Sequence, residues 1–225
     1  MATIGQRIEE LIGSAYSTIP ANSKSDLINA AISEVADMLP ADLLMKYLND
    51  SNVADIGVDG AYTTVEGKKV LLVTREINDS ATSPTAEAVA VPIQEFYQCQ
   101  DSDSMYEATA YSPVYSYKAS GGTGSDLVIY PIPTGNQAGK VHYFEYPTSD
   151  QSGNNTITGL PSEVTQAIVV KASVNILQTY ISDFVQDEED AELQQMVEAQ
   201  KTSLEKVFNN EMKRYMEPDA TPRGE

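Results

Sequence analysis

Residues 164–177 have the sequence VTQAIVVKASVNIL, in which apolar side chains cover most of the circumference of a helix. The apolar pattern continues to Val185 and predicts a helix that other helices surround, because few of its faces suit water. We expect this helix to begin near Leu160-Pro161, since proline is tolerated in a first turn, where no backbone donor is needed. The partner helices must come from elsewhere in the chain.

The first fifty residues are predicted to supply such partners. Apolar residues recur at three- and four-residue spacing from Ile4 to Ile19, and Pro20 ends that helix. Asn22 or Ser23 can cap a second helix. Its wide apolar stripe consists of Leu27, Ile28, Ala31, Ile32, Val35, Met38 and Leu39.

Two more helices are predicted. A short one follows Pro40 and runs from Ala41 through Leu48. The last helix runs from about Asp187 to Met216. Its narrower apolar stripe consists of Leu193, Val197, Leu204, Val207 and Phe208. The acidic opening of this helix, residues 187–190, is interpreted as a complement to the exposed N–H groups of a helix start rather than as a metal site.

Residues 51–150 follow a different pattern, in which Val, Thr and Tyr alternate with polar residues. The predicted strands are residues 62–65, 70–75, 88–93, 113–118, 127–131 and 141–146. We expect the first two to form a hairpin around Glu66-Gly67-Lys68, and the last three to form a meander joined by residues 121–124 and 135–139. Pro92 favours a sheet edge for the third strand, because proline has no N–H to donate.

These segments predict an α+β fold. The helices at the two ends of the chain each have an apolar face to bury, so residues 1–50 and 160–216 are expected to form one helical bundle. Residues 51–150 are then an inserted antiparallel β domain, residues 151–159 a linker and residues 217–225 an extended C-terminal tail. The predicted bundle contact joins the stripe of Ile28, Ile32 and Val35 to the stripe of Val170, Val174 and Leu177.

Charge and composition exclude several classes of protein. The chain has 33 acidic and 14 basic residues and a formal net charge of -19, whereas nucleic-acid binders need cations to displace condensed counterions. No apolar run approaches the roughly 20 residues of a membrane-spanning helix, and no signal peptide is predicted. The single cysteine, Cys99, cannot form an internal disulfide, so the fold is not expected to depend on an oxidising compartment.

No catalytic, cofactor-binding or metal site is predicted. The only histidine, His142, lies on a predicted strand, where a packed or surface role is more common than that of a base or ligand. Cys99 has no neighbouring Lys, Arg or His in the sequence that would activate its thiol. Residues 101–104 lack the glycine and distal glutamate of a calcium loop, and residues 121–124 lack the Lys-Ser/Thr of a phosphate loop. We therefore expect a structural protein and not an enzyme.

Several stretches, taken in order along the chain, resemble one protein family. Residues 27–47, LINAAISEVADMLPADLLMKY, look like its N-terminal helix pair. Residues 127–134, LVIYPIPT, and 140–147, KVHYFEYP, are similar to its β-domain signature. Residues 160–177 and the helix that opens at Asp187 resemble its two C-terminal helices. The family is the head-to-tail adaptor (tail tubular protein A-like, or neck) proteins of tailed bacteriophages. The resemblance is one of pattern and order, and residues 77–103 lie outside it.

The resemblance implies a fold and a function. The implied fold is a helical bundle with an inserted β domain, which agrees with the fold predicted from burial. The implied function is that of a structural virion protein, a subunit of a homo-oligomeric ring of about twelve copies in the neck, assembled in the host cytoplasm. Its partners are the portal protein on one side and the tail tube or nozzle protein on the other. DNA passes through such a ring without specific binding, and an acidic lumen would repel its phosphates. Acidity that only aids solubility is the alternative.

The resemblance also implies a role for the C-terminal tail, because C-terminal segments in such rings lie along the portal. We therefore expect contacts with the portal or an adjacent subunit from Met216, Glu217, Pro218, Asp219, Ala220, Thr221, Pro222 and Arg223. Composition by itself predicts a disordered end, the commonest fate of terminal residues.

Two other functions stay open at this point. One is a tail-tube or baseplate structural module, and the other is a non-viral β-inserted domain that binds a soluble partner. Ring geometry and presence in the neck of assembled particles would distinguish them. A polysaccharide-degrading enzyme would need paired carboxylates on a deep β scaffold, and the sequence identifies no such pair.

The isolated protein is expected to bind double-stranded DNA very weakly at physiological salt, because a net charge of -19 opposes the phosphate backbone. An electrophoretic mobility shift assay measures this directly. The two basic pairs, Lys68-Lys69 and Lys213-Arg214, are expected to be solvated surface. Nanomolar affinity would contradict the prediction and would require a clustered basic face.

Overall fold

The chain folds into two compact units in the computed structural model. The structure describes residues 2–48, 52–57, 60–62, 67–78, 84–119, 125–133, 138–150, 152, 157, 159–185 and 191–216. The helical unit comprises residues 1–47 and 146–225, and the β unit comprises residues 48–145. The predicted α+β class, with a β domain inserted between N- and C-terminal helices, is confirmed.

The elements follow one another in this order. They are α1 (Ile4–Ile12), α2 (Ser14–Thr18), α3 (Ala21–Met38), α4 (Ala41–Met45), β1 (Val53–Ile56), β2 (Ala61–Tyr62), β3 (Lys68–Glu76), β4 (Thr85–Glu87), β5 (Val89–Ala90), α5 (Ile93–Cys99), β6 (Val114–Ala119), β7 (Ser125–Tyr130), β8 (Gly139–Glu145), α6 (Val164–Tyr180) and α7 (Ala191–Met216). A π-helical turn, Ile181–Val185, extends α6.

Helix α6 is the centre of the helical unit. It packs against α1, α2, α3 and α7. Its buried residues are Val164, Thr165, Ala167, Ile168, Val169, Val170, Ala172, Ser173, Val174, Ile176 and Leu177. The prediction of a helix surrounded by others is therefore confirmed, as is the predicted packing of the second N-terminal helix, α3, against α6.

Polar contacts join the two ends of the chain within this unit. The Lys171 ammonium of α6 lies 2.6 Å from the Glu34 carboxylate of α3. The Gln200 side chain of α7 donates a hydrogen bond to the Leu11 carbonyl of α1 at 2.8 Å. The buried hydroxyl of Ser173 donates to the Val169 carbonyl at 2.8 Å, so this polar group inside α6 is satisfied by its own helix.

The N-terminal helices begin and end at different residues from those predicted. Gly13 has a φ of +56°, which breaks the expected continuous helix from Ile4 to Ile19 into α1 and α2. Pro20 is the N-cap of α3, so Asn22 and Ser23 lie inside the helix and do not cap it. The short helix α4 ends at Met45, before Leu48.

Helix α6 also begins later than predicted. Helix α6 starts at Val164, after a turn in which the Val164 N–H donates to the Pro161 carbonyl at 3.0 Å. Helix α7 starts at Ala191. The acidic residues 187–190, interpreted above as a helix start, lie outside the described residues.

The chain returns from the β unit to the helical unit through residues 146–150. The Tyr146 hydroxyl donates a hydrogen bond to the Asp37 carboxylate of α3. Burial, and then the bond to Asp37, raises the pKa of Tyr146 to about 12. The Ser149 N–H donates to the Asn29 side-chain carbonyl of α3 at 2.8 Å. Both contacts fasten the returning chain to α3.

The described residues of the β unit form two four-stranded sheets. The first has the strand order β1-β8-β3-β4 and the second has the order β2-β7-β6-β5. All described pairs are antiparallel except β5 with β6, which is parallel. Residues from both sheets share one buried cluster, which consists of Ile56, Val73, Ala88, Leu127, Ile129, Val141 and Tyr143. The sheets therefore face each other across a common core.

Two basic side chains connect the sheets. Arg75 of β3 is 4% exposed, and its guanidinium donates to the carbonyls of Pro131 at 2.8 Å and Glu76 at 2.8 Å. Pro131 directly follows β7 of the other sheet. The Lys68 ammonium lies 4.1 Å from the ring centroid of Tyr143 in one sheet and 5.6 Å from that of Tyr62 in the other.

Strand pairing in the β unit corrects the sequence prediction at several points. Most of the first strand of the expected hairpin, with part of its turn, lies outside the described residues. Tyr62, the described residue of that strand, pairs with Leu127 of β7, and β3 pairs with β8 and β4. The expected meander holds for β6 and β7, but β8 belongs to the other sheet. The described residues form eight strands where about six were expected.

A helix also occurs where only strands were predicted. Val89–Ala90 forms the expected edge strand, but Pro92 is the N-cap of α5 rather than part of that strand. Phe96 and Cys99 on the inner face of α5 are buried with Ala108 and Val114 in a second hydrophobic cluster. Because α5 spans only seven residues, its periodicity was too short to be recognised.

Val174→Asp is expected to unfold the helical unit, because Val174 in α6 is 6% exposed. Truncation of a buried aliphatic side chain destabilises a protein by about 2–5 kcal/mol, and an unpaired buried carboxylate adds to that loss. Thermal unfolding followed by circular dichroism measures the effect. Gln195→Asp, at an exposed position on α7, is the matched control and should melt like the wild type. A native melting temperature for Val174→Asp would contradict the bundle.

Candidate functional site

His142 lies in the middle of β8, between two neighbouring strands. Its register partners are Val53 of β1 and Leu72 of β3. The side chain is half-buried. Burial, and then the positive charge of Lys140, lowers the pKa of His142 below its usual value near 6.5. Both effects favour the neutral imidazole.

Cys99 is part of a hydrophobic cluster. It is 6% exposed at the end of α5 and packs with Phe96, Ala108 and Val114. Its carbonyl accepts a hydrogen bond from the Ala108 N–H at 3.0 Å. This contact joins the end of α5 to Ala108 in the loop that follows it.

The acidic loop at residues 101–104 uses its polar side chains on its own backbone. The Asp101 carboxylate accepts from the Asp103 N–H at 3.0 Å, and the Ser104 hydroxyl accepts from the Tyr106 N–H at 3.1 Å. Among the described residues, no group of three or more His, Cys, Asp or Glu side chains is arranged to hold a metal ion. The glycine-rich loop at residues 121–124 lies outside the described residues.

The predicted portal-contacting residues are only partly described. Met216 is the last residue of α7 and is 44% exposed. Met212, one turn earlier, is 1% exposed, so the buried face of α7 ends close to its C-terminus. Residues 217–223, which complete the predicted set, lie outside the described residues.

A surface that the sequence analysis did not identify lies on the β unit. It consists of α5 and the loop of residues 100–113, and we call it the α5 loop surface. The loop contains backbone hydrogen bonds from Ser104 to Asp101 at 3.0 Å and from Glu107 to Ser104 at 3.2 Å. Ala108 is buried beneath it. The loop therefore has a defined conformation anchored at both ends.

The α5 loop surface exposes several large side chains. Met105 is 98% exposed, Tyr106 72% and Tyr111 76%, and Tyr97 on α5 is 55% exposed. Such a concentration of exposed aromatic and Met side chains is typical of protein–protein interfaces. A cavity of about 240 Å³ opens between α5 and the loop, and its lining residues are Glu95, Gln98, Cys99 and Tyr106.

A sequence signal for this surface exists. Between Arg75 and Lys118 the chain has no lysine, arginine or histidine, while it has seven acidic residues. Four of them, Glu95, Asp101, Asp103 and Glu107, belong to the α5 loop surface and are exposed. The one-sided charge of this stretch, together with Met105 and three tyrosines, is the signal of this surface in the sequence.

Comparison of the sequence with protein-family models and with curated proteins finds no match. Of the helices formed by the described residues, none combines the length and the hydropathy needed to cross a membrane.

The pKa of His142 is expected to fall below 6.5 in the folded protein. Because His142 is the only histidine, its ring resonances in a proton NMR titration report this value without assignment. The unfolded chain binds the proton more readily than the native state does. The contribution of neutral His142 to the free energy of unfolding is therefore fully present above about pH 6.5 and decreases as the pH falls toward the native pKa.

Two variants test this prediction. His142→Gln should abolish that part of the pH dependence of urea unfolding. Lys140→Gln removes the neighbouring charge and should move the midpoint of His142 upward. A midpoint at or above 6.5 in the wild type would show that His142 is neither buried nor beside a cation.

Proposed function

We propose that this chain is a structural virion protein, a subunit of a head-to-tail adaptor ring that joins the portal to the tail of a tailed bacteriophage. In this proposal the protein performs no catalysis. Copies of the chain form a closed ring in the neck, and DNA passes through its centre.

The observation that carries the proposal is the chain order of the fold. The N-terminal helices α1–α3 and the C-terminal helices α6 and α7 pack into one unit, and the β unit is inserted between them. This is the architecture that the resemblance to the adaptor family implies. The resemblance rests on the helix stretches 27–47 and 160–177, and these two stretches contain most of α3 and α6, which pack against each other.

Surface composition also supports an assembly role. The described residues include exposed Met196, Val207 and Met216 on α7, in addition to the aromatic residues of the α5 loop surface. Exposed apolar side chains on separate surfaces suit a subunit with more than one protein neighbour, as a ring that joins two larger structures requires. The functional chemistry in this proposal is therefore that of protein interfaces.

The charge of the chain suits a DNA channel. A net charge of -19 repels phosphate, so duplex DNA slides through a ring of such subunits instead of binding to it. The chain has only 14 lysine and arginine residues with which to bind phosphates. Two of them, Lys24 and Arg75, are buried.

Deletion of residues 217–225 is expected to preserve the fold and weaken attachment to the portal. The described packing of α7 ends with Met212 and Met216, so the deletion leaves that packing in place. An extended proline-containing segment loses little conformational entropy when it docks, which suits it to binding along a neighbour. Co-sedimentation with portal rings of the same phage measures the attachment.

The controls separate the two parts of the proposal. Native mass spectrometry of the full chain with portal rings should give a ring of about twelve adaptor copies. A variant with Pro218→Ala and Pro222→Ala keeps the tail length and should bind more weakly than the wild type but better than the deletion. Equal attachment of the truncated and full chains would leave the tail without a binding role. A chain that never associates with portal rings would contradict the adaptor function itself and favour the other structural roles.

A further inference from the structure

We propose that the α5 loop surface binds a basic segment of a partner protein, with a lysine or arginine side chain of that partner in the cavity between α5 and the loop. The inference goes beyond the adaptor proposal, because it names the chemistry of a partner and does not depend on whether the chain forms a ring.

The exposed apolar side chains lie on a conformationally defined loop. The hydrogen bonds at Ser104, Glu107 and Ala108 fix the loop backbone, yet Met105 at its tip is 98% exposed. The local hydrophobic cluster is formed by other residues, so neither Met105 nor Tyr106 is needed in it. A surface that is already ordered loses little entropy on binding, and tyrosine and methionine provide large contact areas.

The cavity has the size and lining for one long side chain. Its volume of about 240 Å³ lies below the range of about 300–1,000 Å³ that is usual for small-molecule sites. Glu95 contributes a carboxylate to the lining, and Tyr106 contributes an aromatic ring. A lysine or arginine matches both, because its apolar stem packs on the ring while its charged head pairs with the carboxylate.

Acidic side chains predominate on α5 and the loop. Glu95, Asp101, Asp103 and Glu107 are exposed, and none of the ion pairs among the described residues involves them. The nearest basic residues in the sequence are Arg75, which is buried, and Lys118, which is exposed. They lie on either side of residues 76–117. Lys118 lines a different cavity, on the flank of α5 that carries Tyr97 and Ile93. The cavity beside Tyr106 is therefore acidic.

Charge complementarity selects the occupant. A second copy of the chain, with a net charge of -19 and the same acidic surface, would place like charges together. A basic protein segment instead gains both ion pairs and contacts with Met105 and Tyr106. Such a segment would exclude water from the carboxylates at the centre of the interface, where charged pairs contribute most.

A fluorescent peptide of alternating lysine and leucine is the probe, titrated with the full chain at physiological salt and read by fluorescence anisotropy. The double variant Met105→Ala, Tyr106→Ala should weaken binding about tenfold or more, as the loss of interface anchors typically does. The double variant Glu95→Gln, Glu107→Gln should weaken it similarly and reduce its salt dependence. All four side chains are exposed or line the open cavity, so circular dichroism of the variants should stay native.

Matched controls place aromatic and charge changes on the helical unit. Tyr47→Ala removes a tyrosine that is 42% exposed, and the pair Glu10→Gln, Asp26→Asn removes two exposed charges. Both should bind the peptide like the wild type. A photo-reactive form of the peptide should crosslink within residues 93–113.

Several results would overturn the inference. They are the absence of binding to the wild type, equal weakening in the control variants, equal binding of a glutamate–leucine peptide, and crosslinks confined to the helical unit. Concentration-dependent dimerisation that Tyr106→Ala abolishes would assign the surface to a second copy instead. None of these results bears on portal attachment, which is measured separately.

Discussion

Burial of α6 is the constraint on which the helical unit depends. Eleven of its residues are buried, on nearly every side of the helix, so no single neighbouring helix can cover it. Its partners come from both ends of the chain, with α1, α2 and α3 before the β unit and α7 after it. Because hydrophobic burial is the dominant favourable term in folding, the two ends must meet before either is stable. The β unit is therefore inserted in the sequence between the two segments that form the core of the helical unit.

The β unit is stabilised separately from the helical unit, by a core that its two sheets share. Among the described residues, the edge strands β2 and β5 span two residues each and β4 spans three. Short edge strands limit pairing with another chain. Arg75 and Lys68 add specific contacts between the sheets, through the Pro131 carbonyl and the rings of Tyr62 and Tyr143. Helix α5 covers β6 and at the same time fixes the exposed loop that follows it. Helix α5 thus contributes both to the packing of the β unit and to the proposed interface.

The helical unit could be predicted from sequence because its signal is local. The apolar stripes of α3, α6 and α7 repeat over many turns, and burial then dictates that they meet. The break at Gly13 was not predicted, because the apolar spacing continues across it and only the positive φ interrupts the helix. In the β unit, alternation identified strands but not their partners, since β2, β3 and β8 pair with strands far away in sequence. The exposure of Met105 depends on tertiary structure, and the cation-free stretch of residues 76–117 was its only signal in the sequence.

Hydrogen exchange of the native protein, followed by mass spectrometry, tests most directly whether the two ends of the chain form one cooperative core. Peptides from α3, α6 and α7 are expected to exchange slowest in the helical unit and to lose protection together as denaturant is added. In the same protein, the loop of residues 100–113 should exchange sooner than these helices, because it contains few backbone hydrogen bonds. Protection of α3 that persists after α6 and α7 have opened would contradict the account, because it would show that the N-terminal helices fold without the C-terminal ones.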